Sequence, residues 1–416
     1  MQANVAQFNT DYKDISESLS FFNGSHCADY SNYKLFSAFQ PIYSIAHRRI
    51  VGVEGLLRAV DTSKSFVPPW KLFSNSNNEE VMLLDKLCQV IHIDNFLALD
   101  DNNVWIFLNV NPLSLHNVET FVNYLDVLIK DRGLPPHRIV IEILESGIDS
   151  EEGLQEALAH YKELGCLIAI DDFGAGHSNF ERIWRVQPDI VKFDRAMVNR
   201  AGQSPNIASM MKGIVSLLHK NRCIVLAEGI ENEKEAIVCM EANVDLVQGF
   251  YFCRPFMLSE PMETDANIWP RLNDLFYEFS SKQNERTHKQ LNDYKKRFQE
   301  IMGLEDIELI AEYMFKLDRT IRLYKIAEDG RQNISNLESP NFTNNKTSKM
   351  APLLKAKDAS WQHRPYFTKA IHNPGKVQIS DPYLSIPDGK ICITYSVKIE
   401  DKKSPYVLCC DIYWDD

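Results

Sequence analysis

The stretch Ile168–Phe180, "IAIDDFGAGHSNF", places two carboxylates, Asp171 and Asp172, between a short apolar run and a Gly-Ala-Gly turn. Adjacent carboxylates repel, and burying either is costly unless a cation compensates. A solvated turn whose aspartates cap the next helix would avoid that cost. The rest of the chain decides between the two.

Working outward, similar apolar runs recur from about Tyr33 to about Phe256: "VWIFLNV" (Val104–Val110), "RIVIEI" (Arg138–Ile143), "CLIAID" (Cys166–Asp171), "DIVKFD" (Asp189–Asp194), "CIVLAE" (Cys223–Glu228) and "LVQGFYF" (Leu246–Phe252). Between them lie segments with apolar residues at helical spacing, such as "EEGLQEALAHYKELG", which ends on Gly165. Runs that do not alternate with polar residues suit strands buried on both faces, as in parallel sheets. Repeated strand–helix units over this length predict a βα barrel. A dinucleotide-binding sheet would need a Gly-x-Gly-x-x-Gly after a strand, and none is present.

In a βα barrel the chemistry sits at the carboxyl ends of the strands. The polar residues closing the runs are Glu54, Asn109, Glu142, Asp171 with Asp172, Lys192, Glu228 and Gln248. Gathered in one bowl, these acids need cations, and hard oxygen donors favour Mg²⁺ or Mn²⁺. A carboxylate-rich bowl with two such cations suits phosphodiester hydrolysis. Removing one charge from such a cluster, as in Glu54→Ala, is expected to relieve repulsion and leave the metal-free protein no less stable.

The bulk numbers agree with a globular protein. The 416 residues, 44% hydrophobic and 25% charged, imply two or more domains. A formal net charge of −12 argues against a DNA- or RNA-binding protein. Nine scattered cysteines without a Cys-x-x-Cys pair predict reduced, packed thiols. The N-terminus lacks a basic head and apolar core, and no apolar run reaches membrane-spanning length, so a cytoplasmic protein without a membrane span is expected.

These motifs together resemble the EAL-domain family of cyclic-di-GMP phosphodiesterases. The signature stands as "EGLLRA" (Glu54–Ala59), with Gly55 where the family usually has Ala, joined by "FQPIYS", "LNVNP", "IEILES", "DDFGAGHSNF", "PDIVKFD", "AEGIE" and "QGFYFCRP". The resemblance implies a modified (β/α)8 TIM-like barrel that opens cyclic di-GMP to linear pGpG with two divalent metals. It makes Glu54, Asn109, Glu142 and Asp171 ligands of one metal, with Asp171 bridging to a second that Asp172 also holds. Lys192 would hold the attacking water or transfer a proton, and Glu228 and Gln248 would complete the metal–water network. Glu145 would pin the loop after Asp172, where Gly174 and Gly176 let the chain turn. Gln40, Leu56 and Arg58 resemble substrate contacts, with Asp194 and Glu231 in support. Ala175 and His177 depart from the family's usual loop, which contributes to dimer contacts, so a homodimer is expected with altered coupling. A cyclic-di-GMP receptor that scarcely hydrolyses its ligand is the alternative reading.

The expected domains are an extension (1–32), the barrel (33–260), a linker helix (261–305) and a small α+β domain (306–416). Trp269, Leu272, Leu275, Phe276 and Phe279 fall at helical spacing, which predicts a long helix from Trp269 to Met302. "RQNISNLESPNFTNNKTSKM" reads as a polar loop, and "KICITYSVKI" and "YVLCCDIYW" as strands. Trp361, Arg364, Tyr366, Asp381 and Tyr383 resemble PAS-like and Cache-like sensor domains. That resemblance implies a small anionic ligand at Trp361, Arg364, Tyr366 and Asp381; packed aromatics with Arg364 paired to an internal acid is the alternative.

Overall fold

The computed structural model describes residues 15, 19–74, 76–99, 103–111, 114, 118–144, 152–176, 180–304, 306–341, 356–385, 389–401 and 404–414, with backbone alone at 118–123, 152 and 282–290. The chain divides into two compact units, Met1–Tyr277 and Glu278–Asp416.

The first unit is built on β1 (Leu19–Phe22), β2 (Ser25–Tyr30), β3 (Tyr33–Ser44), β4 (Arg49–Asp61), β5 (Phe66–Val67), β6 (Trp105–Asn109), β7 (Ile139–Leu144), β8 (Leu167–Phe173), β9 (Ile190–Phe193), β10 (Ile224–Ala227) and β11 (Leu246–Val247). β4 and β6 to β11 pair in parallel, neighbour to neighbour. β3 runs antiparallel to both β4 and β11 and closes an eight-stranded barrel. The hairpin β1–β2 extends the sheet along the first half of β3, and β5 borders β4.

Helices surround the ring, and local chemistry starts or stops several of them. Asn77 and Glu80 form a reciprocal capping box that opens the helix Asn78–Leu97. Gly165, at φ +102°, ends the helix Glu152–Leu164 in the left-handed region.

The strand period explains how the barrel places its polar residues. An interior layer of Ile42, Phe107, Val140, Ala169, Ile190, Leu226 and Leu246 is buried at one level. Side chains two apart on a strand share a face. The residues one step further toward the carboxyl end are therefore Asn109, Glu142, Asp171, Lys192, Glu228 and Gln248. On β3, which runs the other way, Gln40 takes the corresponding place beside Ile42. On β4, Glu54 stands above Gly52, whose missing Cβ leaves room for Phe107.

Two expectations change in detail. "LVQGFYF" is a strand only at Leu246–Val247, because Gly249 lies so close to Ile230 that a Cβ would stand 2.1 Å from its carbonyl oxygen. The polar loop of the second unit contains a short strand, β13 (Leu337–Glu338), and its residues 342–350 lie outside those described.

The second unit is antiparallel, with β12 (Thr320–Ala327), β13, β14 (Gln378–Ile379), β15 (Tyr383–Ser385), β16 (Lys390–Ile399) and β17 (Tyr406–Tyr413) in the order β13-β12-β17-β16-β14 and β15 also on β16. Both sheet faces are buried. Leu323, Tyr395, Val397, Leu408 and Cys410 pack against Tyr294 and Phe298, and Tyr324, Ile326 and Val407 pack against Tyr366, Phe367 and Ala370 of the helix Pro365–His372. The predicted long helix runs from Ile268 to Ile301. Ile268 and Leu272 belong to the first unit's core, and Tyr294, Phe298 and Ile301 to the second's. All nine cysteines are buried free thiols. No helix among the described residues is long and apolar enough to cross a membrane.

Candidate active site

Lys192 is the centre of the bowl. It projects from β9, is fully buried, and meets four carboxylates: Glu228 Oε1 at 2.5 Å, Glu142 Oε1 at 2.6 Å, Asp171 Oδ1 at 3.2 Å and Glu54 Oε2 at 3.7 Å. One buried cation faces several buried acids, so the charges do not balance. Burial alone would lower the Lys192 pKa, but Asp171, Glu142, Glu228 and Glu54 outweigh it and hold the ammonium charged. Burial pushes the carboxyls of Glu142 and Glu228 well above the usual range; Lys192 opposes the rise and the neighbouring acids add to it.

Glu54 is also the acceptor for two amides. Asn109 Nδ2 donates to Glu54 Oε1 at 2.9 Å and Gln248 Nε2 donates to Glu54 Oε2 at 2.8 Å. The expectation that Glu54→Ala would relieve repulsion at no cost therefore fails on geometry: truncation strands the buried amide of Gln248 as well as removing a charge.

Asp172 makes none of the Lys192 contacts of the ring of four. It is exposed, its backbone sits at φ +59°, and its N–H donates to Asp171 Oδ1 at 2.9 Å. Partial burial, Asp171 and Asp194 raise its carboxyl. The turn is made by Asp172 and by Gly174 at φ +99°; Gly176 is not in the left-handed region. This corrects the assignment of the turn to the two glycines: an aspartate tolerates that backbone better than most residues. Glu145 and His177 lie outside the described residues.

Beside the acids is a cavity of about 220 Å³. It is lined by Gln40, Glu54, Asp194, Glu228, Glu231 and Gln248, so three of the five expected substrate contacts face it. Gln40 pairs directly across from Glu54 on β3 and β4. Leu56 is half-buried on the same face of β4 as Glu54. Arg58, two residues further, lines a neighbouring cavity of about 620 Å³ with Tyr33, Phe36 and Phe66, and its Nη1 donates to the Leu57 carbonyl. The bowl's lining also includes Arg195 and Phe250, which motif reading passed over. Arg195 pairs with Glu231 at 2.8 Å, and the Arg254 guanidinium lies 4.7 Å over the Phe250 ring. Their positions, directly after Asp194 and two after Gln248, are the signal that would have found them. Glu235, buried beneath this rim, accepts from Asn199 Nδ2 and from the Glu231 N–H, and so holds the loop that follows Glu228.

The donor set fits a divalent cation. Carboxylate oxygens of Glu54, Glu142 and Glu228 lie within 4.8 Å of one another. Glu142 Oε2 and Gln248 Oε1 are buried without a hydrogen-bond partner among the described residues. Buried orphan oxygens amid excess negative charge suit a hard cation.

In the second unit, Trp361 Nε1 donates to Gln332 Oε1, and Tyr366 stacks on Tyr383. The Arg364 guanidinium lies 5.5 Å over the Tyr383 ring, with its Nε buried and unpaired among the described residues. The buried acid there, Asp411, is taken by Tyr324, Thr394 and Arg322 instead. Asp381 is exposed on the segment before β15.

Comparisons with known proteins bear on the family and the fold. The Bacillus subtilis protein YkuI, an uncharacterised EAL-domain protein, is 28% identical over 382 residues, covering 88% of this chain and 91% of YkuI. The crystal structure of YkuI with cyclic di-GMP and calcium superposes with a TM-score of 0.75 at 24% identity, over 92% of this chain and 97% of that one, which supports the common fold. RocR of Pseudomonas aeruginosa, a cyclic di-GMP phosphodiesterase, is 26% identical over 223 residues, 52% of this chain and 56% of RocR. The Klebsiella pneumoniae BlrP1 complex with manganese and cyclic di-GMP matches with a TM-score of 0.50 at 25% identity, over 54% of this chain and 56% of that one. The model of the EAL domain matches residues 28–255, more than half of the 416, and the chain belongs to the EAL-domain family.

Proposed function

We propose that the barrel hydrolyses cyclic di-GMP to linear pGpG. The observation that carries the reading is the ring of Glu54, Glu142, Asp171 and Glu228 about Lys192, with orphaned acid and amide oxygens at the carboxyl ends of the strands. Glu54, Asn109, Glu142 and Asp171 would hold one Mg²⁺ or Mn²⁺, and Asp171 with Asp172 a second, with Glu228 and Gln248 completing the shell. Two such ions, when bound, supply an activated water and charge stabilisation at phosphorus. Lys192 donates to the attacking oxygen and keeps it in line. The new bond joins that oxygen to phosphorus, the P–O3′ bond breaks, and the proton the water gives up is replaced on the departing 3′ oxygen by one from Lys192 or solvent, so that the alcohol leaves neutral. Gln40, Leu56, Arg58, Asp194 and Glu231 position the dinucleotide, with Arg58 suited to a phosphate oxygen. Incubating purified protein with cyclic di-GMP and Mg²⁺, then separating the nucleotides, tests this. Linear pGpG should form, stop on chelation and resume with Mn²⁺. Cyclic di-GMP bound but intact would assign a receptor instead, and turnover undiminished by chelator would remove the metals.

We further propose that the second unit is a PAS-like or Cache-like regulatory module acting through the helix Ile268–Ile301 and a cytoplasmic homodimer. What supports it is Arg364, a cation over Tyr383 with no acid paired to it among the described residues, as a small anionic ligand requires. Arg364→Ala should abolish the response of turnover to small carboxylates and leave the basal rate; sedimentation of full-length protein checks the dimer.

A further inference from the structure

The far mouth of the barrel, at the amino-terminal ends of the strands, carries a cleft of about 780 Å³ that the acid bowl's chemistry does not use. Its floor includes Trp105 at the start of β6 and Ile224 at the start of β10, both only half-buried against the barrel's interior layer. Its rim carries one guanidinium and three imidazoles: Arg49 and His47 from the turn between β3 and β4, His137 before β7, and His219 at the end of the helix Pro205–Lys220.

The one acid in the lining, Asp245, is already engaged. Its Oδ2 accepts from His219 Nε2 at 2.8 Å and from the Val225 N–H at 2.8 Å. Arg49 donates only to the neighbouring Ile50 carbonyl and has no acid partner among the described residues. The His137 imidazole makes no hydrogen bond among them. In a chain of net charge −12, the cleft's described lining carries two guanidiniums, Arg49 and Arg138, against one carboxylate around an apolar floor. A concave apolar surface with a few convergent polar groups is the usual form of a small-molecule site.

We propose that this mouth is a second ligand site, taking a small organic anion with a flat apolar ring. The ring lies against the Trp105 indole, the anionic group pairs with the Arg49 guanidinium, and the His137 imidazole supplies a further N–H donor. Nucleoside monophosphates and aromatic sulfonates share that chemistry. The site is independent of the hydrolytic reading, since it uses none of the acid cluster.

The test is calorimetric titration of the full chain with three probes: GMP, 1-anilinonaphthalene-8-sulfonate and inorganic phosphate. Chelator is present throughout, so that the acid bowl repels anions. GMP and the sulfonate should both bind saturably, and phosphate alone at least about tenfold more weakly, because it gains nothing from the floor. Arg49→Glu with His137→Glu should weaken both ring-bearing probes at least about tenfold, the scale of one lost charged hydrogen bond. Arg49 is exposed, so the variant should keep its far-ultraviolet circular dichroism and melting temperature. No saturable binding of either ring-bearing probe, unchanged affinity in the folded double variant, or phosphate binding as tightly as GMP would each overturn the assignment.

Discussion

Replacing Lys192 by Met keeps the length of the side chain and removes the only cation, among the described residues, in contact with the four acids. The ammonium is fully buried and within 2.5–3.7 Å of Glu228, Glu142, Asp171 and Glu54. Removing one partner of a buried ion pair costs about 3–5 kcal/mol, because the charge left behind is uncompensated. Here the cost is capped. Glu142 and Glu228, already raised by burial, can take up protons once Lys192 no longer opposes it. We therefore expect the lower end, about 3 kcal/mol at mildly alkaline pH, or a melting temperature lower by about 6–12 °C for a unit of this size.

The sign of the pH dependence follows from those raised carboxyls. A carboxyl whose folded pKa is raised favours the fold while protonated and penalises it once pH climbs above its unfolded value of about 4. In Lys192→Met the rise is larger, so the deficit should be small near about pH 5 and grow as pH increases. A divalent cation should replace the lost charge. At about a hundred times its dissociation constant it contributes about 2.7 kcal/mol, and it should stabilise the variant more than the wild type, since the ammonium no longer competes with it. Differential scanning calorimetry of the full chain, in chelator and in Mn²⁺ across pH, reads all three effects; the barrel's transition is the one that moves with Mn²⁺. A variant as stable as wild type in chelator at alkaline pH, or a deficit that does not change with pH, would refute the reasoning. Turnover of cyclic di-GMP should fall by about a hundredfold or more, the usual range for losing a group in proton transfer.

Glu54→Ala should abolish turnover and, in chelator, lose about 1–3 kcal/mol for the stranded Gln248 amide, read by urea unfolding. Gly249→Ala should cost about 1–3 kcal/mol or more and move Gln248 from Glu54, since the added Cβ meets the Ile230 carbonyl at 2.1 Å; an unaltered melting temperature would contradict it. Asp172→Gly should gain stability slightly, by up to about 1 kcal/mol, by relieving the φ +59° backbone, while lowering hydrolysis in Mg²⁺ through loss of a carboxylate.

The sequence alone determined the barrel and most of the bowl, for one physical reason. Strands buried on both faces must be apolar throughout, so a polar residue at the end of each run stands out and marks the mouth where solvent or a cation can meet it. Asn109, Glu142, Asp171, Lys192, Glu228 and Gln248 were legible in this way, each two residues past an interior apolar side chain. What only the tertiary structure decided are relations across the ring. That Lys192 touches four acids on or just past four other strands, that Glu54 is the acceptor for two amides, and that Asp245 is already engaged by His219 and Val225 are facts about residues up to 194 positions apart. Nor does composition tell which residues in a turn take the left-handed backbone: "DDFGAGH" holds two glycines, yet Asp172 shares that conformation with Gly174. The same holds for Arg364, whose charge is plain in the sequence while the absence of a paired acid among the described residues follows from Asp411 being held by Arg322, Tyr324 and Thr394. Period and polarity act along a strand, where the chain itself sets the spacing; pairing acts between strands, where closure of the barrel sets it.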